Sequence, residues 1–313
     1  MRKWKSLKTG DIVDVVAPGS GISGRNSKEE LDGALQFLKS WGLVPRISDK
    51  IFAGHPYLSN DDSFRLGDLK RALLAKESKA IWCLRGGYGS LRLLPALLKL
   101  KVPQSSKIFI GYSDITSLHL FLTQKWKWIT CHGPLLDGLG KKKYPEVEVR
   151  ELQNLLFGEQ DEITFDDLQP FNDKAKKLKK IEGPMAGGNL VVLGSHCGTS
   201  MAPKFAGKIV FLEEIGERGY RIDRLLTQLT QNKELLKARA ILLGDFVGGA
   251  EVNGDNHGMM ALKSWANSVS VPVFQNLAVG HGNLNRPLFL GTDSVLEKHK
   301  NSYRLVNYSG ARI

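Results

Sequence analysis

Short apolar runs alternate with amphipathic helical stretches through the first half of the chain, and that alternation narrows its fold more than any other feature. "DIVDVVAP" (11–18), "KAIWCLRGG" (79–87), "KIFIGYS" (107–113) and "WKWITCHGP" (126–134) each read as a strand. Between the first two lies "SKEELDGALQFLKSWG" (27–42), where Leu31, Ala34, Leu35 and Leu38 recur at helical spacing. Ser27 and Glu30 form a capping box at its start, and Gly42 marks its stop. A second helix is expected over about Asp61 to Lys76, and a third over 89–100, bent at Pro95. Parallel strands need crossover connections, usually helices. The first half is therefore expected to form a mostly parallel sheet covered on both faces.

Residues 158–182 break the pattern: they are polar, rich in Lys and Asp, and weakly periodic, and they read as an interdomain linker. A second unit begins at "GPMAGGNLVVLGSHCG" (183–198). It continues through strand "GKIVFLEEIG" (207–216), helix "RGYRIDRLLTQLTQ" (218–231) and strand "ARAILLGDFVGG" (238–249). The helix has one apolar face, made by Ile222, Leu225, Leu226 and Leu229. A chain of 313 residues suits two domains of ordinary size. The expected division is an N-terminal α/β domain at 1–157, the linker at 158–182, and a smaller α/β domain at 183–313.

Several classes are set aside on composition. No run approaches the roughly 18 apolar residues of a membrane span. The basic N-terminus leads into an apolar run interrupted by Asp11 and Asp14, a first strand rather than a signal peptide. A cytoplasmic protein without a membrane partner is expected. Cys83, Cys131 and Cys197 fit neither a disulfide framework nor a metal spacing, and read as buried free thiols. The net charge of +12 is carried in part by "GKKKYPE" (140–146) and "DKAKKLKKIEG" (173–183). Neither run interleaves aromatic residues, so both read as solvated loops and no nucleic-acid partner is expected.

Ligands of a parallel sheet bind beyond the carboxyl ends of its strands. That places "RGGYGS" (85–90), "GYSD" (111–114) and "CHGP" (131–134) along one edge. The first of these leads into a helix, so its N–H groups could receive an oxyanion or a phosphate. It is not a dinucleotide fingerprint. Ser113 has two readings. It could cap the helix "DITSLHLFLTQ" (114–124), or it could be a nucleophile exposed at a sharp strand-to-helix turn. The pattern G-x-S-x-G is half met, because Ile115 stands where the second glycine would be. A serine nucleophile needs a base, and an acid to orient that base. His119 lies along the same helix at roughly 9 Å, too far for a hydrogen bond. His132 and His281 stay open as the base, and Glu213 and Glu214 as the acid, only one of which can point at a given site. Glu251, Asp255 and His257 in "GGAEVNGDNHG" (248–258) lack a paired-ligand spacing and read as a polar loop, so no metal is expected.

"VVAPGSGI", "RGGYGSLRLLP", "GYSDITSLHLFL", "HGP", "GPMAGGNLVVL", "FLEEIGERGYRIDRLLTQL" and "VGHGNLNRPLFLG" follow one another in an order that resembles the LD-carboxypeptidases. These are serine peptidases that trim D-alanine from muropeptides, and the microcin-immunity peptidases are among their relatives. The resemblance runs from about residue 11 to 296. It implies a Rossmann-like N-terminal domain, a smaller α/β C-terminal domain, and an active site at their interface. On the matching motifs it places the nucleophile at Ser113, the acid at Glu213 and the base at His281. The backbone N–H groups of Gly87 and Asp114 would hold the oxyanion, and Arg85, Gly86, Tyr112 and Asn189 are expected to contact substrate. Glu214 is a departure, since many relatives carry aspartate there. The implied substrate is a murein tetrapeptide or muropeptide, cut between the L-centre of its third residue and terminal D-alanine. No cofactor is implied, and a homodimer is compatible. Two alternatives stay open: a microcin-immunity-like peptidase acting on a peptidyl- or aminoacyl-nucleotide, and a nucleotide-binding module without catalysis.

Overall fold

The apolar runs of the first half all form strands of one parallel sheet. In the computed structural model, which describes residues 1–52 and 55–312, the elements up to residue 111 are β1 (Trp4–Lys5), β2 (Ile12–Val16), α1 (Ser27–Ser40), β3 (Val44–Arg46), α2 (Asp62–Leu74), β4 (Ser78–Cys83), α3 (Leu94–Leu97) and β5 (Ile108–Gly111). They continue with α4 (Thr116–Phe121), β6 (Thr130–His132), α5 (Leu136–Gly140) and α6 (Glu146–Phe157). Strands pair in the order β3-β2-β4-β5-β6, all parallel. β5 is buried along its whole length, as a strand covered on both faces must be.

Two local expectations shift. Ser27 is the first residue of α1 rather than its cap: Asn26 holds the cap position, without a side-chain cap bond. Pro95 does not bend a helix. A 3₁₀ turn over Ser90–Leu93 leads into α3, and Pro95 sits in the first turn of α3, where its missing N–H costs nothing.

The second unit contains β7 (Glu162–Pro170), α7 (Asp173–Lys176), β8 (Lys180–Asn189), α8 (Leu190–Ser195), β9 (Ile209–Ile215), α9 (Gly219–Gln231), β10 (Ala240–Val247), α10 (Gly258–Ser268), β11 (Val273–Gln275), β12 (Leu288–Leu290), β13 (Asp293–His299) and β14 (Ser302–Tyr308). Seven of its strands close a barrel in the order β10-β11-β7-β14-β13-β8-β9. The pairs β8–β9, β9–β10 and β10–β11 are parallel and the other four are antiparallel. α9 buries Ile222, Leu226 and Leu229 and packs against α8 and α10.

The chain divides into Met1–Asp161, joined by the last residues from Gly310, and Glu162–Ser309. From Glu162 onward, the stretch expected as a linker therefore belongs to the second unit, as β7, α7 and the start of β8. Its period is hidden by a bulge. Ile163 and Phe165 alternate into the core, then Asp166 and Asp167 are both exposed before Leu168 is buried. Asp167 has a φ of +62°, and the register with β14 shifts at this point. The end of the chain also departs from the expected division: β15 (Ala311–Arg312) returns to the first unit and pairs with β1.

Candidate active site

β5 ends at Gly111, and the chain then makes a sharp turn. Tyr112 is extended, Ser113 is left-handed with a φ of +67°, and a 3₁₀ turn over Ser113–Ile115 leads into α4. Tyr112 occupies the cap position, so Ser113 does not cap the helix. A left-handed serine costs on the order of 1 kcal/mol or more, and persists only where its surroundings over-determine it. Gly86 is part of those surroundings. A Cβ there would stand 3.0 Å from the Ser113 Cβ and 3.2 Å from the Tyr112 carbonyl oxygen. The second glycine of the hydrolase pattern is absent, yet the turn is made.

The loop at 85–90 is tied to this turn. Ser90 N–H donates to the Asp114 carboxylate at 2.8 Å, and burial pushes that carboxyl above the usual range. Gly87 is left-handed and exposed, next to Tyr88, whose N–H donates to the Ser20 hydroxyl at 3.2 Å. Arg85 is half-buried at the start of the loop. His132 is fully buried at the end of β6, with its ring 5.6 Å from Tyr112 and 6.3 Å from His119. His119 Nε2 meets the Gly111 carbonyl at 2.8 Å, and burial pushes the ring down to about 4. Both histidines pack behind the strand end.

In the second unit, β9 presents its two acids in opposite directions. Glu213 is fully buried, and its Oε2 lies 2.6 Å from His281 Nδ1. An ionised carboxylate can only accept, so Nδ1 carries the proton and Nε2 keeps the basic lone pair. Glu214 instead accepts from Asn189 Nδ2 at 3.1 Å and from the N–H groups of Val191 and Ile215 at 2.8 Å each. Burial, only partly offset by those three donors, pushes Glu214 up to about 7. Asn189 Oδ1 accepts from Val192 N–H at 3.2 Å, so this residue caps α8 where β8 passes into it.

Two residues missed in the sequence hold the His281 loop. Asp245 Oδ2 accepts from Gly282 N–H at 2.9 Å, and Asn285 Oδ1 accepts from Gly280 N–H at 3.2 Å. The loop wraps closely. A Cβ at Gly280 would come within 3.1 Å of Glu213 Cβ, and one at Gly282 within 2.6 Å of Asp245 Oδ2. The Asp245 carboxyl is raised, first by burial and then by the nearby Glu213. A signal was present: "AILLGD" ends in an acid, as "KIVFLE" does, and β9 and β10 are parallel neighbours.

The structure thus brings Glu213 to His281, Ser113 to Gly86, and Asp114 to Ser90, with Ser113 in the first unit and the acid–imidazole pair in the second. The polar loop at 248–258 has other partners: Glu251 lies 3.7 Å from Arg218, at the start of α9, and within the loop Asn253 donates to Asp255 at 2.9 Å.

Known proteins match the chain across both units. The family pattern of the LD-carboxypeptidase N-terminal domain matches residues 13–133, and that of the C-terminal domain matches 182–296. A Rickettsia conorii protein is 39% identical over 96% of this chain and 92% of its own length. The murein tetrapeptide carboxypeptidase of Pseudomonas aeruginosa is 31% identical, covering 92% of this chain and 94% of that protein. The crystal structure of the muramoyltetrapeptide carboxypeptidase from Oxalobacter formigenes superposes with a TM-score of 0.81 at 25% identity, over 95% of this chain and 98% of that one.

Proposed function

The chain belongs to the LD-carboxypeptidase family of serine peptidases, and on that premise we propose that it releases terminal D-alanine from murein tetrapeptides through an acyl-enzyme, as a cytoplasmic step of peptidoglycan recycling. The observation that carries this reading is the fully buried Glu213 held 2.6 Å from one nitrogen of His281. A carboxylate so placed fixes the tautomer of the ring and stabilises the imidazolium that forms during catalysis. Support also comes from the left-handed Ser113 directly after a strand, the backbone of an exposed nucleophile.

In the proposed reaction, Ser113 Oγ attacks the carbonyl carbon of the third residue while His281 Nε2 takes the hydroxyl proton. The N–H groups of Gly87 and Asp114 hold the oxyanion, a contribution of about 10²- to 10³-fold per donor in comparable sites. The tetrahedral intermediate collapses with the proton passing from His281 to the departing amine, and D-alanine leaves. A water molecule, deprotonated by the same imidazole, then attacks the ester and frees the tripeptide and Ser113. Each step uses only protein groups and water.

The test is incubation of the protein with purified tetrapeptides carrying diaminopimelate or L-lysine at the third position, alongside an aminoacyl sulfamoyl-adenosine. D-alanine release, followed by mass spectrometry and abolished in Ser113→Ala, is expected. Cleavage of the nucleotide conjugate alone would move the protein to the microcin-immunity-like activity.

A further inference from the structure

Gly87 lies on the wall of a hollow of about 470 Å³ within the first unit, and Arg85 lines the same hollow together with Ser20, His55, Tyr57 and Tyr88. Among the described residues, no carboxylate lines it, and the half-buried Arg85 makes no ion pair or hydrogen bond. That sets Arg85 apart from its neighbours. Arg46, Arg65, Arg71 and Arg92 of the same unit each hold an aspartate. Asp137 on α5 feels the charge of Arg85 without pairing with it; its carboxyl accepts from Gly138 N–H at 2.7 Å and is raised by burial. A second donor faces no acid either. His55 Nδ1 accepts from the N–H groups of Tyr57 at 3.3 Å and Leu58 at 3.1 Å, so the proton of the neutral ring is on Nε2.

A partly desolvated guanidinium without a counter-ion is a costly thing to keep, unless a ligand supplies the missing carboxylate. The position of that carboxylate is set by the chemistry of the substrate. In a peptide cut at its last bond, the terminal carboxylate is about one residue step, roughly 3.8 Å, beyond the reacting carbonyl. Arg85 stands two residues before Gly87, the proposed oxyanion donor, and next to Gly86, which packs on Ser113. We propose that Arg85 binds the free terminal carboxylate of the leaving residue, and that this contact makes the protein an exopeptidase. The inference rests on the carboxypeptidase reading above and adds the group that selects the chain end.

The experiment compares tetrapeptides ending in D-alanine with the same peptides ending in D-alanine amide, for the native protein, Arg85→Met and Arg85→Lys. L-lysine peptides are included because they lack the side-chain carboxylate of diaminopimelate. The native protein should prefer the free acid by about 100-fold in kcat/KM, the usual scale for a lost charged hydrogen-bond partner. Arg85→Met should lose most of that factor on the acid, mainly through KM, so that its kcat/KM values for acid and amide become similar. Arg85→Lys should retain part of the preference, since the charge remains. If Arg85→Met still discriminates acid from amide, the inference is wrong while the carboxypeptidase reading stands. A loss confined to diaminopimelate peptides would overturn it in favour of the side-chain carboxylate. Absence of D-alanine release from every peptide by the native protein would overturn both.

Discussion

Ser113 holds a backbone conformation that its own side chain does not favour, with a φ of +67°. Alanine at this position keeps the strain and loses the hydroxyl, whereas glycine loses both. We therefore expect Ser113→Gly to be more stable than Ser113→Ala by up to about 1 kcal/mol, with both inactive. Thermal melts of the two variants read the difference directly, and equal or reversed stabilities would mean that the turn is not held left-handed in the folded protein. The serine between a strand and an acid was legible in the sequence; its left-handed backbone was not. The glycine packed against it, Gly86, belongs to a different loop, and no local pattern connects the two. Asp245 and Asn285 were hidden for a similar reason. Their side chains act on backbone N–H groups of the His281 loop, and a sequence does not show which amide a carboxylate will meet.

On β9 the two glutamates divide the work by strand alternation, one toward His281 and one toward the start of α8. The alternation was readable, but the choice between them came from the resemblance, because only the partners distinguish the faces. Glu214 also gives the strand a pH dependence. Its carboxyl is raised from 4.5 to about 7, chiefly by burial. Between those values the folded protein keeps a proton that the unfolded chain has released, so this group's contribution is fully present below 4.5 and is lost as pH rises through 7. The loss is at most about 3 kcal/mol, since a tenfold change in proton affinity is worth about 1.4 kcal/mol. Melting temperatures at pH 5 and pH 8 should fall more steeply for the native protein than for Glu214→Gln, which cannot ionise. Parallel slopes would show that Glu214 does not titrate in this window. β7 was the element the sequence concealed, because its bulge at Asp166 and Asp167 breaks the two-residue period that marks a half-buried strand.

Across the whole molecule, the parallel sheet of the first unit was legible because each strand sits between its own helices. The closed barrel was not. Its closure depends on β7 pairing with β11 and β14, and on β8 pairing with β13, all contacts between segments far apart in the chain. The return of β15 to β1 is likewise non-local. The same separation bears on the chemistry. The proposed nucleophile belongs to one unit and the acid–base pair to the other, so the account stands only if Ser113 and His281 act as one device. The measurement that tests this most directly is kcat/KM for D-alanine release by Ser113→Ala, His281→Ala and the double variant, with His132→Ala for comparison. Each of the first two should lose about 10⁴-fold or more, and the double variant should be hardly worse than either, because triad members fail as a unit. His132→Ala, packed behind the strand end, should cost far less. A dead His132→Ala beside an active His281→Ala would contradict the account.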